Sequence, residues 1–240
     1  MRIKAVIAYD GSKFYGFQKQ TSTTQTVAYQ IEKLLKALQI DTQIVASGRT
    51  DRGVHASNQI IHFDIPSYWQ DIDKLKNILN HKLNGILFKH ICIVDNSFHA
   101  RFDAKSRVYR YIFTHNLNIF EQNYISFYPE KFDKNRLDEA LSMFIGKHDF
   151  RYFHKTGSNP HSTIREIHKS YYIKRGKYHY IYLHANGFLR SQVRMIVDAS
   201  LKVAQGKITL NELEEQINNK HQHTNMLAPA QGLYLARIIY

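Results

Sequence analysis

The sequence predicts an α+β protein organised in two halves, and three observations carry that reading. Its 240 residues exceed the usual single-domain size of roughly 100 to 150, which suits two subdomains or one larger α+β unit. Runs of period-two alternation and stretches of helical spacing follow one another in both parts of the chain, and neither type dominates. Between the parts, His99-Ala100-Arg101-Phe102-Asp103-Ala104-Lys105 is short and basic and reads as the crossing. The expected division is therefore 1–104 and 105–240. A hydrophobic content of 43 % supplies a sizeable core.

The elements follow in order. The apolar run 3–8 reads as a strand, closed by a turn at Asp10-Gly11. After the threonine-rich stretch 21–26, Val27, Ile31, Leu34, Leu35 and Leu38 recur at helical spacing. Strand-like runs at 43–47 and 59–65 leave the segment between them as a loop. A second helix turns Ile72, Leu75, Leu79 and Leu83 inward and leads to a strand at 86–94. In the second half, 106–113 alternates, so that Tyr109, Tyr111 and Phe113 share one face and Arg110 takes the other. A helix at 133–145 is capped by Asp133, and strands follow at 164–174 and 178–185. The next helix runs from Phe188 to about Gln205, stopped by Gly206. Thr209 opens a short helix, and the strand 233–240 closes the chain. The stretch 155–162 is rich in turn formers and reads as a loop, flanked by Arg151, Lys155 and Arg165, that either contacts RNA or is merely solvated.

Composition narrows the function. There are 33 Lys and Arg against 20 Asp and Glu, a formal net charge of +13, which is the footprint of a protein that binds a polyanion. Nucleic acid is the expected partner and a membrane is not, because no apolar run approaches the roughly 18 residues a spanning helix needs. Cys92 is the only cysteine, so no internal disulfide forms. It lies in an alternating apolar run and reads as buried and inert. The N-terminus enters a strand with no signal-peptide apolar region, and the expected location is the cytoplasm. No cofactor or metal is expected. The 14 His lack Cys partners and an HExxH pair, and neither GxxxxGK[ST], GxGxxG nor GxSxG occurs.

One acid has a chemical setting. In Gly48-Arg49-Thr50-Asp51-Arg52-Gly53-Val54-His55-Ala56 a carboxylate stands between two arginines in a glycine-bounded segment. Guanidinium groups favour its ionised form, and the glycines allow sharp turning and close approach of a ligand. By itself this is more often the pattern of a surface turn with an ion pair. Four further segments accompany it: Tyr9-Asp10-Gly11-Ser12-Lys13-Phe14-Tyr15-Gly16-Phe17-Gln18, the alternating Ser106-Arg107-Val108-Tyr109-Arg110-Tyr111-Ile112-Phe113, Phe188-Leu189-Arg190-Ser191-Gln192-Val193-Arg194-Met195-Ile196-Val197, and Gly232-Leu233-Tyr234-Leu235.

In this order and at these spacings the five segments resemble the tRNA pseudouridine synthase A family, and the likeness spans nearly the whole chain. The resemblance implies two α+β subdomains around a central, mainly antiparallel sheet, with a basic active-site cleft. It implies isomerisation of uridine in the anticodon stem-loop of tRNA, at tRNA positions 38 to 40, by a homodimer without a cofactor. Matched by motif, Asp51 falls on the catalytic aspartate and Tyr109 on the tyrosine that contacts the target uridine. Arg194 matches the helix arginine that pairs with the aspartate, Arg49 the residue implicated in base flipping, and Leu233 the apolar wall of the pocket. The chain departs from the pattern with Arg52 at a variable position, Gln192 where Met is usual and Asp198 where Gly is usual.

The implied reaction breaks the bond from N1 to C1′, turns the uracil and rejoins it through C5. It is an isomerisation, so one carboxylate suffices, either attacking C1′ or removing the C2′ proton. The base must leave its stack, which calls for a ring to receive it and a side chain to take its place. An alternative from another class is a non-catalytic RNA-binding or RNA-folding module that keeps the cleft. A metal-dependent nuclease would need a cluster of acids that the sequence does not offer. Intact Asp51, Tyr109 and Arg194 favour catalysis.

Overall fold

A computed structural model describes residues 1–157 and 160–240. Part of the loop expected at 155–162 therefore lies outside the described residues. The chain forms two compact units, Met1–Lys105 with Tyr234–Tyr240, and Ser106–Leu233. The closing strand thus returns to the first unit.

The first unit is built on β1 (Arg2–Tyr9), whose burial alternates strictly, with Ile3, Ala5, Ile7 and Tyr9 inward. Both its edges are used. It pairs antiparallel with β3 (His55–Asp64) and with β4 (Ile86–Val94), so that Ala5 faces Ile61 on one side and Ile91 on the other. A short β2 (Val45–Ala46) adds to β3 antiparallel, and β10 (Leu233–Ile239) adds to it parallel, with Tyr234 opposite His55. Helix α1 (Val27–Ala37) begins where the Thr26 hydroxyl accepts from the Tyr29 N–H, and α2 (Ile72–Lys82) where Asp71 accepts from Lys74. Their buried stripes are Val27, Ala28, Ile31 and Leu35, and Leu75 and Leu79. The expected inward residues Leu34, Leu38, Ile72 and Leu83 are only half-buried, because they flank the stripe.

In the second unit β5 (Ser106–Thr114), β9 (Tyr178–Ala185), β8 (Ile164–Arg175) and β7 (Gly146–Asp149) form an antiparallel run in that order, and β6 (Ser126–Phe127) pairs parallel with β5. Tyr109, Tyr111 and Phe113 are buried on one face of β5, as the alternation predicts. Helix α3 (Lys134–Ser142) is capped by Asp133, whose carboxylate accepts from the Asn135 and Arg136 N–H groups, and it packs on α4 (Gln192–Ala204) and β8. The expected extension of α3 to Ile145 fails, since Gly146 at φ 110 turns the chain into β7. Helix α4 starts at Gln192 rather than Phe188. Ser191 is left-handed at φ 59, and the Gln192 side chain accepts from the Leu189 N–H at 2.7 Å, which folds 189–192 into a turn. Arg190, placed inside the helix by the expected start at Phe188, therefore precedes it. Gly206 at φ 71 follows its end, and α5 (Leu210–Ile217) opens with a reciprocal Thr209–Glu212 capping box.

Cys92 is half-buried, its Sγ 3.8 Å from the Lys4 carbonyl, rather than fully buried as expected. Among the described residues no helix is long and apolar enough to cross a membrane.

Two buried histidines make acid sensitivity predictable. In the first unit His62 Nδ1 accepts from the Ala100 N–H at 3.0 Å, and in the second His179 Nδ1 lies 2.7 Å from the Tyr172 hydroxyl. Burial, then the charges of Arg2 and His99, brings His62 down to about 4. Burial, then His115 and Lys174, does the same for His179. Each imidazole binds a proton less readily folded than unfolded, so the stability it contributes is full above the unfolded value of about 6.5 and is lost as pH falls toward 4, by about 1.4 kcal/mol per pH unit per histidine. Thermal melts between pH 7.5 and 4.5 should show this decline beginning below pH 6.5, with a shallower slope in His62→Gln.

Candidate active site

The loop that carries Asp51 joins β2 to β3, and the first unit holds it from four sides. Gln59, a fully buried polar residue of β3, clamps Gly48 with both ends of its amide: Nε2 donates to the Gly48 carbonyl at 2.7 Å and Oε1 accepts its N–H at 3.3 Å. Thr50 is buried, its hydroxyl 2.8 Å from the Tyr9 hydroxyl and its carbonyl accepting from the Phe17 N–H at 3.1 Å. The Val54 N–H closes a turn onto the Asp51 carbonyl at 3.2 Å, with Gly53 at φ 78. His55 Nδ1 accepts from the Gly11 N–H at 3.0 Å, while its ring stacks on Tyr234 at 4.6 Å.

This seat explains the segment 10–17. A Cβ on Gly11 would lie 2.2 Å from the Val54 carbonyl oxygen, and one on Gly16 would lie 3.0 Å from that of Thr50. Gly16 also stands at φ 105, so no other residue fits there without strain. The Asp-Gly pair is therefore no hairpin tip. It is the place where one backbone lies against another.

Of the charged residues, Asp51 is half-buried and Arg49 exposed. Arg52 is exposed too, with its guanidinium 4.2 Å over the Tyr15 ring, a cation–π contact. The structure thus gives the second flanking arginine a ring as neighbour.

In the second unit Tyr109 is buried on β5 opposite Leu183, and its ring meets Phe188 edge-on at 5.2 Å in the turn before α4. Arg194, in the first turns of α4, is half-buried: its Nε donates to the Ala228 carbonyl at 2.6 Å and its own carbonyl accepts from the Ala228 N–H at 3.1 Å. A cation held only by solvent would not make the first of these bonds. Burial pushes the Tyr111 phenol well above its ordinary value and that of Tyr128 up to about 12, and the Arg194 charge opposes both shifts. The Tyr111 hydroxyl sits 2.7 Å from Ser126 Oγ and 3.0 Å from the Pro229 carbonyl. A Cβ on Gly232 would lie 2.5 Å from Ser126 Oγ and 2.6 Å from the Ile112 carbonyl, which accounts for the glycine before the buried Leu233. Of the departures from the family pattern, Gln192 caps the turn into α4, and Asp198 pairs with Lys202 at 3.0 Å, one helical turn on.

Arg49 and Asp51 thus share one loop of the first unit, while Tyr109, Arg194 and Leu233 belong to the second. Sequence reading missed Tyr9, Thr50 and Gln59 as supports of the loop. Their signal is a polar group at the end of, or inside, a run of buried alternating residues. It also missed Tyr111 and Gly232.

A family profile described as tRNA pseudouridine synthase matches residues 5–103 and 140–240. A Campylobacter jejuni protein named tRNA pseudouridine synthase A is 39 % identical over 242 residues, covering all of both chains. Its namesake from Wolinella succinogenes is 37 % identical over 238 residues, 98 % of this chain and 93 % of its own. That from Helicobacter hepaticus is 38 % identical over 247 residues, 99 % and 98 % respectively. A solved chain of a Cbf5-Nop10-Gar1 complex aligns with 83 % of this chain and 45 % of its own at 11 % identity and a TM-score of 0.38, too slight a likeness to inform fold or function. With the profile matched over residues 5–103 and 140–240 and end-to-end relatives well above 30 % identity, the chain belongs to the tRNA pseudouridine synthase family.

Proposed function

We propose that this chain converts uridine to pseudouridine in the anticodon stem-loop of tRNA, with Asp51 as the reacting carboxylate. The observation that carries this reading is the seating of Asp51: its loop is fixed at Gly48, Thr50, Val54 and His55, so a half-buried carboxylate is presented on a rigid support. The reaction moves one carbon–nitrogen bond to a carbon–carbon bond within a single nucleotide. N1 leaves C1′, C5 takes its place, and the proton lost from C5 is balanced by one gained at N1. Asp51 either attacks C1′ or takes the C2′ proton, and both roles need it ionised. Arg194 supplies positive charge that favours that state. Tyr109 receives the flipped base, Arg49 fills the space it leaves, and Leu233 is apolar wall. The protein works as a homodimer, a reading that rests on the family resemblance, and in the cytoplasm, a reading that rests on its single cysteine.

The charge balance supports a tRNA substrate. An excess of 13 cations attracts a polyanion and releases its counterions on binding. Asp51→Asn keeps the shape of the side chain but removes the charge. Turnover, measured as tritium released from C5-labelled uridine in tRNA transcripts, should fall at least about 10³-fold while tRNA affinity stays within a few-fold. Residual activity above a tenth of wild type would exclude Asp51 from its role. For Tyr109, a stacking role makes Ala far more damaging than Phe, and equal damage from both would assign the function to the hydroxyl. Log affinity for tRNA should fall linearly with log salt, by about 0.9 per neutralised phosphate in duplex regions. A flat response in filter binding between 50 and 300 mM salt would show that the basic residues make no phosphate contacts.

A further inference from the structure

We infer that Tyr9 is a positioning residue for the isomerisation, acting through Thr50 on the backbone that carries Asp51. The inference rests on the reading of Asp51 as the reacting carboxylate. Tyr9 is the last inward residue of β1, 5 % exposed, and its ring lies 6.0 Å from that of Phe17. Thr50 is 7 % exposed and immediately precedes Asp51. Their hydroxyls are 2.8 Å apart in a buried setting, where a hydrogen bond is shielded from water and a missing partner is costly.

The bond is placed to control direction. The Thr50 carbonyl is already fixed by the Phe17 N–H, and the Asp51 carbonyl by the Val54 N–H. Two backbone bonds pin the peptide oxygens on either side of the Asp51 Cα. The Tyr9–Thr50 bond adds a third anchor through the Thr50 side chain. The close approach of Gly16 to the Thr50 carbonyl, the Arg52 N–H and the Asp51 carbonyl carbon removes the slack on the opposite side. An attack on C1′ or a proton transfer from C2′ depends on the carboxylate lying within a few tenths of an ångström of its place, and a displacement of about 1 Å costs roughly 10²-fold in rate.

Phenylalanine at 9 keeps the ring and its packing against Phe17 while removing the hydroxyl, and valine at 50 is nearly isosteric with threonine. Single-turnover rates at saturating tRNA, tRNA dissociation constants and melting temperatures are measured for Tyr9→Phe, Thr50→Val, Thr50→Ser and the Tyr9→Phe/Thr50→Val double variant. The expected result is a 10- to 100-fold fall in rate for Tyr9→Phe and for Thr50→Val with an unchanged dissociation constant. Thr50→Ser, which keeps the hydroxyl, should stay within about threefold of wild type. The double variant should be no slower than the worse single one, because one bond is lost in all three.

Rates corrected for the folded fraction separate positioning from stability. A loss explained by a lower melting temperature alone, with a wild-type rate per folded molecule, overturns the inference. So does a wild-type rate in Tyr9→Phe, or an effect of Tyr9→Phe that adds in full to that of Thr50→Val. Full activity in Asp51→Asn would instead overturn the assignment of the carboxylate, whatever Tyr9 does, so the two failures are distinguishable.

Discussion

The close approach of two backbones in the first unit is the constraint on which its functional architecture depends. At Gly11 the chain leaving β1 lies against the loop 48–54 at a distance that admits no side chain, and at Gly16 it comes close to the same loop at a φ of 105 that side chains rarely adopt. Contact this tight lets backbone groups bond directly, the Phe17 N–H to the Thr50 carbonyl and the Gly11 N–H to His55. A loop between strands is ordinarily among the more mobile parts of a protein. Here the buried face of β1 continues without interruption into the support of the loop, since Ile3, Ala5, Ile7 and Tyr9 are one row of side chains. The rigidity of the sheet is thereby passed to the segment that bears the carboxylate.

The second unit solves a related problem with polar groups buried among aromatic rings. Tyr111 crosses the interior to meet Ser126 and the Pro229 carbonyl, and Gly232 is bare because Ser126 and the β5 backbone stand where its side chain would be. Arg194 and Ala228 exchange two bonds and tie the start of α4 to the segment that precedes β10. Each of these groups is satisfied by a partner far away in sequence, so the motif residues brace a long-range fold. That bracing is why Tyr109, Arg194 and Leu233, taken singly, are indistinguishable from ordinary core or surface residues.

What was legible in the sequence follows the range of the interaction involved. Helices α1, α2, α3 and α5 were readable because their caps and apolar stripes are local, with Thr26, Asp71, Asp133 and Thr209 each bonding within three residues. The start of α4 was not, because it depends on a left-handed serine and a glutamine that folds back on the turn. The short strands β6 and β7 escaped because two to four residues show no period and pairing is settled by the partner strand, whereas β2 lies within the expected run 43–47. Asp51 stood out by its flanking arginines and glycines. Tyr9 and Gln59 did not, since a phenol or an amide in an apolar run gives no hint of the backbone it will meet.

Electrostatics joins these levels. With 20 acids against 33 Lys and Arg, local pairing cannot neutralise the chain. Asp10, Asp71 and Asp133 cap helical turns, their oxygens accepting from backbone N–H groups. Glu212 does the same for Thr209, and that bond holds its carboxyl below the usual range. Asp149 is lowered by Thr163 and Arg151 against the opposing effect of burial, and Glu121 by Tyr178 and Lys177. Acids fixed in this way stabilise local turns but do little to screen the lysines and arginines elsewhere on the surface, whose potential reaches outward over about a Debye length. The same placement of acids that makes the helices start where they do therefore leaves a surface on which phosphates are the available counter-charges. Under the proposed function, in which an RNA is held while one base is extracted from its stack, that attraction offsets the few kcal/mol of unstacking without asking anything of the proposed carboxylate.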